Sequence, residues 1–428
     1  MGKINILVFP CGSEIAFEIH HALKYNVNFN LIGASSLEDQ CKTVFNQYIG
    51  GVPYIKDPDF IDKLNQIIEK HDIGLIFPTH DSVTLFLSEN QELINTKLAV
   101  PELETAMICR NKKLTYQHFS SYDFNPDVYH LEDGLEFPLF QKPNIGEGGK
   151  NTQKINNQEE LLFYYSPEGE DLLLEYLPGE ELTVDCFTDR HGELRFIGPR
   201  IREKILGGIS VHTKRVEADK EITTIAHAIN NELNLRGLWF FQLKKDRKEK
   251  YKLLEISART SSTMGLFRNL GVNFHLLTAY DLLDLDVDIL FNDNPITLHR
   301  SFLNKYHLEL EYNTVYIDFD DTITRNGKVN EFVMLFVYQQ VRMNKKLILV
   351  TRHEFDIHET LKNLKIDPKL FDKIILLNTA QSKADFITQP ESSIFIDNAF
   401  KDRWEVKEKW NMPVYDVDAI QSLIDWKE

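Results

Sequence analysis

Apolar and polar positions along this chain follow three successive rhythms. Over residues 1–105, short, mainly apolar runs alternate with stretches of helical spacing. Ile4 to Phe9, Phe29 to Ala34 and Leu75 to Pro78 read as strands, and Glu14 to Leu23, Phe60 to Lys70 and Ser82 to Leu87 as helices. Such alternation predicts a parallel sheet with crossover helices. From Ala106 to Leu310 the strands lengthen and polar turns separate them. Leu172 to Tyr176, Leu182 to Phe187, Leu194 to Ile197, Trp239 to Lys244 and Tyr251 to Ile256 are the expected strands. The turn residues Asp189 to Gly192 and Asp246 to Lys250 predict antiparallel pairing between neighbours. From Tyr312 the first rhythm returns, with strands expected at Val315 to Ile317, Leu347 to Val350, Ile374 to Leu377 and Ile394 to Ile396.

A length of 428 residues exceeds what one core usually supports, which fits this division into several domains. The net charge of −17 argues against a nucleic-acid partner, because phosphate backbones are bound mainly by Lys and Arg. No run is long enough for a membrane helix, and the apolar stretch after the N-terminus is strand-like rather than a signal peptide. The four cysteines, Cys11, Cys41, Cys109 and Cys186, have no CxxC spacing. That excludes a zinc or disulfide framework on spacing grounds and predicts a reducing, cytoplasmic setting. Cys11 reads as a small buried side chain or a reactive thiol.

Four segments of the middle region carry compatible chemistry. Phe137 to Pro143 is a strand bearing Lys142, followed by the loop Gly146-Glu147-Gly148-Gly149-Lys150. Glycines let backbone N–H groups approach phosphates, and a Lys adds a point charge; alone, the segment fits a polar hairpin equally. Glu175 to Glu181 joins two strands, suited to an adenine edge and a ribose, or to a solvated acidic turn. Gly207-Gly208-Ile209-Ser210 follows Arg200 and Arg202, an arrangement for an anion or for a surface loop. Gln242 and Glu255 lie on successive strands, with Ser257 and Arg259 beyond, an oxygen set suited to Mg²⁺ beside a phosphate-neutralising guanidinium.

In this order the segments resemble the ATP-grasp superfamily over residues 1–310, near its carbamoyl-phosphate-synthetase-like and amino-acid-ligase branches. The resemblance implies roles by position. Lys113 and Lys142 would contact ATP phosphates, with Gly148 and Gly149 in the phosphate loop. Glu175 and Leu177 would form the adenine hinge, and Glu181 would take the ribose. Gln242, Glu255 and Ser257 would hold Mg²⁺, with Mn²⁺ as a substitute, and Arg259 would face the transferring phosphate. His80 and Asp81, in Ile76-Phe77-Pro78-Thr79-His80-Asp81, would stand on the substrate side together with Arg200, Arg202 and Ser210. The family's motif ends Glu-x-Asn-x-Arg, whereas this chain has Glu255-Ile256-Ser257-Ala258-Arg259. Ser is a weaker metal ligand than Asn, which puts the second Mg²⁺ position in question.

The last rhythm carries a second chemistry. Asp318-Phe319-Asp320-Asp321-Thr322 follows a strand, Thr351 and Asp397 end two others, and Lys383 lies between them. A carboxylate such as Asp318 can attack phosphorus, and Asp320 can act as acid and base. Thr351 and Lys383 can hold phosphate, and Asp397 can join Asp318 and Asp320 as a Mg²⁺ ligand. Such groups otherwise serve as helix caps or solvated charges. Residues 312–428 resemble haloacid-dehalogenase-like phosphatases, with Asn398 a departure from the usual second acid and Asp402 a candidate replacement. Retention of Asp320 favours phosphate esters over dehalogenation. The short gaps around Thr351 leave no room for a large cap, so the ATP-grasp part or a second subunit is expected to shield the site.

The expected architecture is an α/β and α+β multidomain chain: a Rossmann-like pre-ATP-grasp domain (1–105), an ATP-grasp domain (106–310) and a Rossmannoid, haloacid-dehalogenase-like domain without a large cap (312–428). The expected activity is bifunctional. One part would ligate a small carboxylate to an amine-like acceptor with ATP through an acyl phosphate, and the other would dephosphorylate a related metabolite. The alternatives are a nucleotide-binding regulator with one degenerate site, or a carboxylate or carbamate kinase. A homodimer is compatible with this reading.

Overall fold

The computed structural model describes residues 2–131, 134–146, 148–166, 169–301 and 303–427. The chain divides into two compact units, Met1–Phe302 and Leu303–Glu428.

The first unit begins with β1 (Ile4–Phe9), α1 (Glu14–Leu23), β2 (Phe29–Ala34), β3 (Gln47–Ile49), α2 (Phe60–Lys70), β4 (Ile73–Pro78), α3 (Asp81–Glu89) and β5 (Lys97–Leu98). The strands form a parallel sheet in the order β3-β2-β1-β4-β5. Its central strand is apolar from Ile6 to Phe9 because both faces are covered there; Ile6, Leu7 and Val8 are wholly buried. Helix α1 starts where the Ser13 hydroxyl accepts from the Ala16 N–H, and it buries Ala16, Ile19 and Leu23. The chain leaves β1 toward β2 on one side and returns to β4 on the other. Residues after β1 and β4 therefore meet at a topological switch point, where open α/β sheets bind ligands.

That edge overturns one sequence expectation. Cys11, after β1, and Cys41, after β2, are joined as a disulfide with Cα atoms 5.8 Å apart. Their separation of 30 residues hid a proximity that the pairing of β1 with β2 creates. No helix among the described residues is long and apolar enough to cross a membrane.

Next come α4 (Leu103–Arg110), α5 (Lys112–His118), β6 (Val128–Tyr129), β7 (Leu139–Lys142), β8 (Gln153–Ile155), α6 (Gln158–Tyr164) and β9 (Leu172–Glu175). The strands make a small antiparallel sheet in the order β6-β9-β7-β8. A larger antiparallel sheet, ordered β14-β13-β10-β11-β12-β15, follows. Its members are β10 (Glu181–Thr188), β11 (Leu194–Leu206), β12 (Ile209–Arg215), β13 (Gly237–Lys245), β14 (Tyr251–Ser257) and β15 (Thr297–His299), with α7 (Lys220–Glu232), α8 (Gly265–Arg268) and α9 (Phe274–Leu282) between them. Helix α7 is capped by Asp219 and buries Ile222, Ile225, Ala226 and Ile229 against Leu182, Val184, Trp239 and Phe241. Strand β11 runs well beyond the expected Ile197. Its distal part, Glu203 to Leu206, is exposed, and is held by the antiparallel ladder to β12 rather than by apolar burial.

The expected boundary near residue 105 lies inside the first unit. Ile6, Val8, Ile19 and Leu23 share one core with Phe187, Leu238, Leu266, Phe267 and Phe274. Each such side chain contributes about 1.5–3 kcal/mol on burial, so the opening sheet and the later strands are stabilised together.

The second unit contains β16 (Thr314–Ile317), β17 (Thr324–Arg325), β18 (Lys328–Val329), α10 (Glu331–Arg342), β19 (Lys346–Thr351), α11 (Ile357–Asn363), β20 (Lys373–Leu376), β21 (Ser393–Ile396), α12 (Phe400–Trp410) and β22 (Val414–Tyr415). Apart from the β17–β18 hairpin, the strands form a parallel sheet ordered β20-β19-β16-β21-β22. The carboxyl ends of β16, β19 and β21 thus stand side by side, and they carry Asp318, Thr351 and Asp397.

Candidate active sites

In the first unit, the register opposes Gln242 to Glu255 and Thr183 to both Gln242 and Arg200. Lys142, at the end of β7, reaches the large sheet. Its buried Nζ donates to the Leu254 carbonyl at 2.9 Å and to the Tyr116 hydroxyl. The Tyr116 hydroxyl also donates to Leu254 O at 2.8 Å. Burial, and then the neighbouring charge of Lys112, pull the Lys142 ammonium down to about 7. Glu255, one residue beyond Leu254, is half-buried and enters no ion pair or side-chain hydrogen bond among the described residues. The basic residue electrostatically coupled to Lys142 is Lys112, while Lys113 is exposed. Asn111 caps α5, and its neighbour Lys112 reaches the Gly146 carbonyl at 3.4 Å.

The two glycine segments meet. Gly148 and Gly208 both have positive φ, and a Cβ on Gly208 would overlap the Gly148 carbonyl. Gly149 also has positive φ, and Glu147 lies outside the described residues. Arg202 ties this contact to the sheet, donating to Gly208 O at 2.7 Å, to Gln242 Oε1 at 3.1 Å and to Glu181. Glu181 also accepts from Lys244 at 3.3 Å. Glu175 accepts from the Asp127 N–H at 3.1 Å, and burial pushes its carboxyl up. Leu177 is buried nearby in sequence, after β9.

Arg200 and Ser210 do not face the loop surface. Arg200 is 1% exposed and donates to both Asp185 oxygens and to Ser261. The buried Ser210 hydroxyl donates to the His212 carbonyl at 3.3 Å.

A second cluster sits at the switch point. Asp81 opens α3, capped by His80, and accepts from the Ser257 hydroxyl at 2.7 Å and from Arg259 Nη2 at 2.6 Å. Burial opposes ionisation of Asp81, but the charge and bond of Arg259, with the Ser257 bond, bring it down to about 2. Arg110 joins this cluster to the glycine loop, contacting Ser82 Oγ at 3.1 Å and Gly146 O at 3.5 Å. Sequence reading missed Arg110, Lys112 and Tyr116; the only signal was their position on the helices preceding Lys142.

In the second unit, Lys383 Nζ donates to Asp318 Oδ1 and Asp397 Oδ2, both at 2.6 Å, and lies 3.5 Å from Asp402. Burial pushes the Asp318 and Asp397 carboxyls up against the pull of Lys383, Asp397 to about 6. The Thr322 hydroxyl donates to Asp318 Oδ2 at 3.3 Å and accepts from the Asn398 N–H at 3.1 Å. Thr351 is wholly buried, and its hydroxyl has no partner among the described residues. Asp402 accepts both Arg352 Nη groups, at 2.7 and 2.9 Å. Asp320 is paired with His353. Arg352 and His353 were missed because nothing local distinguishes them from loop residues.

A family model described as ATP-grasp in the biosynthetic pathway with Ter operon matches residues 168–298. A carbamoyl phosphate synthase large chain of Thermoanaerobacter sp. (strain X514) is 32% identical over 146 residues, 30% of this chain and 13% of that protein. Among solved structures, N5-carboxyaminoimidazole synthetase from Staphylococcus aureus, complexed with ADP, superposes with a TM-score of 0.57 at 14% identity, covering 69% of this chain and 82% of the other. L-amino acid ligase from Bacillus licheniformis gives 0.52 at 18% identity, covering 66% and 75%. The chain has an ATP-grasp-like fold. Its match spans only a small part of the carbamoyl phosphate synthase length.

Proposed function

We propose that the first unit is an ATP-dependent carboxylate–amine ligase acting through an acyl phosphate. The observation that carries this reading is the buried Lys142 ammonium, held on the strand next to Glu255 beside two glycine loops in mutual contact. Lys142 and the loop backbone bind ATP phosphates. The substrate carboxylate oxygen attacks the γ-phosphorus and ADP leaves; Arg259 offsets the charge carried across. The amine then attacks the acyl carbon, expels phosphate and loses a proton. Substrate-dependent release of ADP and phosphate with a panel of carboxylates and amines tests this, with hydroxylamine trapping without amide product marking a carboxylate kinase that releases its acyl phosphate.

We also propose that the second unit is a phosphatase of the haloacid-dehalogenase type acting on a phosphorylated metabolite. Lys383 between Asp318 and Asp397, beside the unpartnered Thr351 hydroxyl, supports it. Asp318 attacks phosphorus as the bond to the leaving oxygen breaks, and the proton of Asp320 passes to that oxygen. Asp320 then takes a proton from water, whose oxygen attacks the aspartyl-phosphate, returning the Asp318 carboxylate and releasing phosphate. The Glu255 carboxylate, and separately Asp318 and Asp397, suit Mg²⁺, which would neutralise phosphate charge when bound; Gln242 Oε1 and the Ser257 hydroxyl are engaged by Arg202 and Asp81, and Asp320 by His353. Hydrolysis of p-nitrophenyl phosphate that disappears in Asp318→Asn tests the assignment.

One observation favours a nucleotide-binding regulator as the second reading: the Ser257 hydroxyl, at the position of the family's Asn, is engaged by Asp81. ATP binding without ADP release across the panel would select it.

A further inference from the structure

Asp320 is half exposed, with 52% of its side chain open to solvent, whereas the His353 side chain beside it is only 8% exposed. His353 Nδ1 stands 3.0 and 2.9 Å from the two Asp320 oxygens, and Nε2 stands 2.8 Å from the Thr360 hydroxyl on α11. Thr360 is anchored in turn, donating to the Asp356 carbonyl at 3.0 Å. The Phe319 and Phe355 rings meet the imidazole at steep angles, with centroids 5.2 and 5.9 Å away. Both ring nitrogens and two aromatic neighbours therefore fix the imidazole.

Three other charged groups near this edge are committed elsewhere. Arg352 binds Asp402, Lys383 binds Asp318 and Asp397, and the Asp356 carboxylate caps α11. Among the described residues, His353 is the side chain hydrogen-bonded to the Asp320 carboxylate.

We infer that His353 is a positioning residue, holding the Asp320 carboxyl where it delivers a proton to the leaving oxygen of a phosphate ester. An open-sided carboxyl otherwise samples several rotamers, and proton transfer requires hydrogen-bond reach to the leaving atom. The inference rests on the phosphatase reading of this unit. The balance is that of the first half-reaction: the P–O bond breaks, and the Asp320 proton ends on the departing alcohol.

The test uses the full chain, wild type and His353→Leu, His353→Asn and Thr360→Val, on two esters. Glycerol 2-phosphate needs its leaving oxygen protonated, whereas p-nitrophenolate departs unaided. His353→Leu is expected to lower kcat for glycerol 2-phosphate on the order of 100-fold, leaving p-nitrophenyl phosphate within a few-fold and KM unchanged. His353→Asn, whose amide nitrogen lies near the place of Nδ1, restores part of the loss. Thr360→Val gives a smaller split in the same direction and serves if the Leu variant does not fold. Equal losses on both esters, or an Asn variant no better than Leu, overturn the inference while the phosphatase reading stands. A wild-type chain that hydrolyses neither ester overturns that reading and the inference with it.

Discussion

The Lys383 ammonium and the Asp318 carboxylate lie 2.6 Å apart, with 4% and 6% of their side chains exposed. A buried pair of this kind is rarely a net source of stability, because desolvation offsets the Coulomb attraction, but breaking it leaves a charge unpaired. Lys383 also serves Asp397, so one cation balances two carboxylates whose burial disfavours ionisation.

Lys383→Met is expected to abolish phosphate-ester hydrolysis and to lower stability by about 3–5 kcal/mol at neutral pH. Asp318→Asn should abolish the same hydrolysis while leaving ATP binding intact, and Lys142→Ala should do the reverse. Urea denaturation and the two activity assays check this; loss of both activities in either single variant contradicts independent sites.

Lys142 gives a pH prediction of definite sign. Its folded-state value, about 7, lies below the ordinary lysine value of 10.5. Between these values the unfolded chain binds more protons than the folded one, so stability rises with pH across that window. Below pH 7 the cost of burying the ammonium is fully present, on the order of several kcal/mol. Lys142→Met should therefore be more stable than wild type at pH 7, with the gap closing toward pH 10.5, while ADP release is lost. A variant destabilised equally at every pH would show that the Tyr116 and Leu254 bonds outweigh desolvation.

Much of this was legible in sequence. The mainly apolar runs of β1, β2 and β4, the helical spacing of α1 and α2, and the strand ends bearing Asp318, Thr351 and Asp397 are local signals of period and punctuation. What stayed hidden depends on phase or on tertiary proximity. Lys112 and Lys113 differ by about 100° around α5, and only the packed helix decides which one stands near Lys142. The pairs Cys11–Cys41, Asp81–Ser257 and Asp320–His353 join residues far apart in the chain, and nothing in their neighbours marks them.

Ser257 and Arg259 converge on Asp81, and this predicts a coupled effect. Asp81→Asn removes the charge facing Arg259 and weakens two charge-assisted bonds, each worth about 1.5–3 kcal/mol. ADP release with any carboxylate should fall at least tenfold, mainly through KM for the acid. Ser257→Ala should cost about 1 kcal/mol by losing one bond to Asp81, with a smaller change in KM. Initial-rate kinetics of both variants check this; an Asp81→Asn enzyme with wild-type KM for the acid would separate this cluster from the substrate side.

Gly208 offers the last test, because two constraints coincide there. Its φ of 77° lies where L side chains are strained, and its missing Cβ makes room for the Gly148 carbonyl. Gly208→Ala must move one loop away from the other, since backbone rather than a flexible side chain is in the way. Arg202 anchors the Gly208 carbonyl to Gln242 and Glu181, so the displacement falls on the Gly148 side, where ATP phosphates are expected. The variant should fold with a loss of about 1 kcal/mol and bind ATP on the order of tenfold more weakly, a difference of about 1.4 kcal/mol. The neighbouring Gly207→Ala, with positive φ but open space at its Cβ, should show the stability loss with little change in ATP affinity. Calorimetric titration of both variants with ATP distinguishes loop contact from backbone strain, and equal affinities would remove the glycine contact from the nucleotide site.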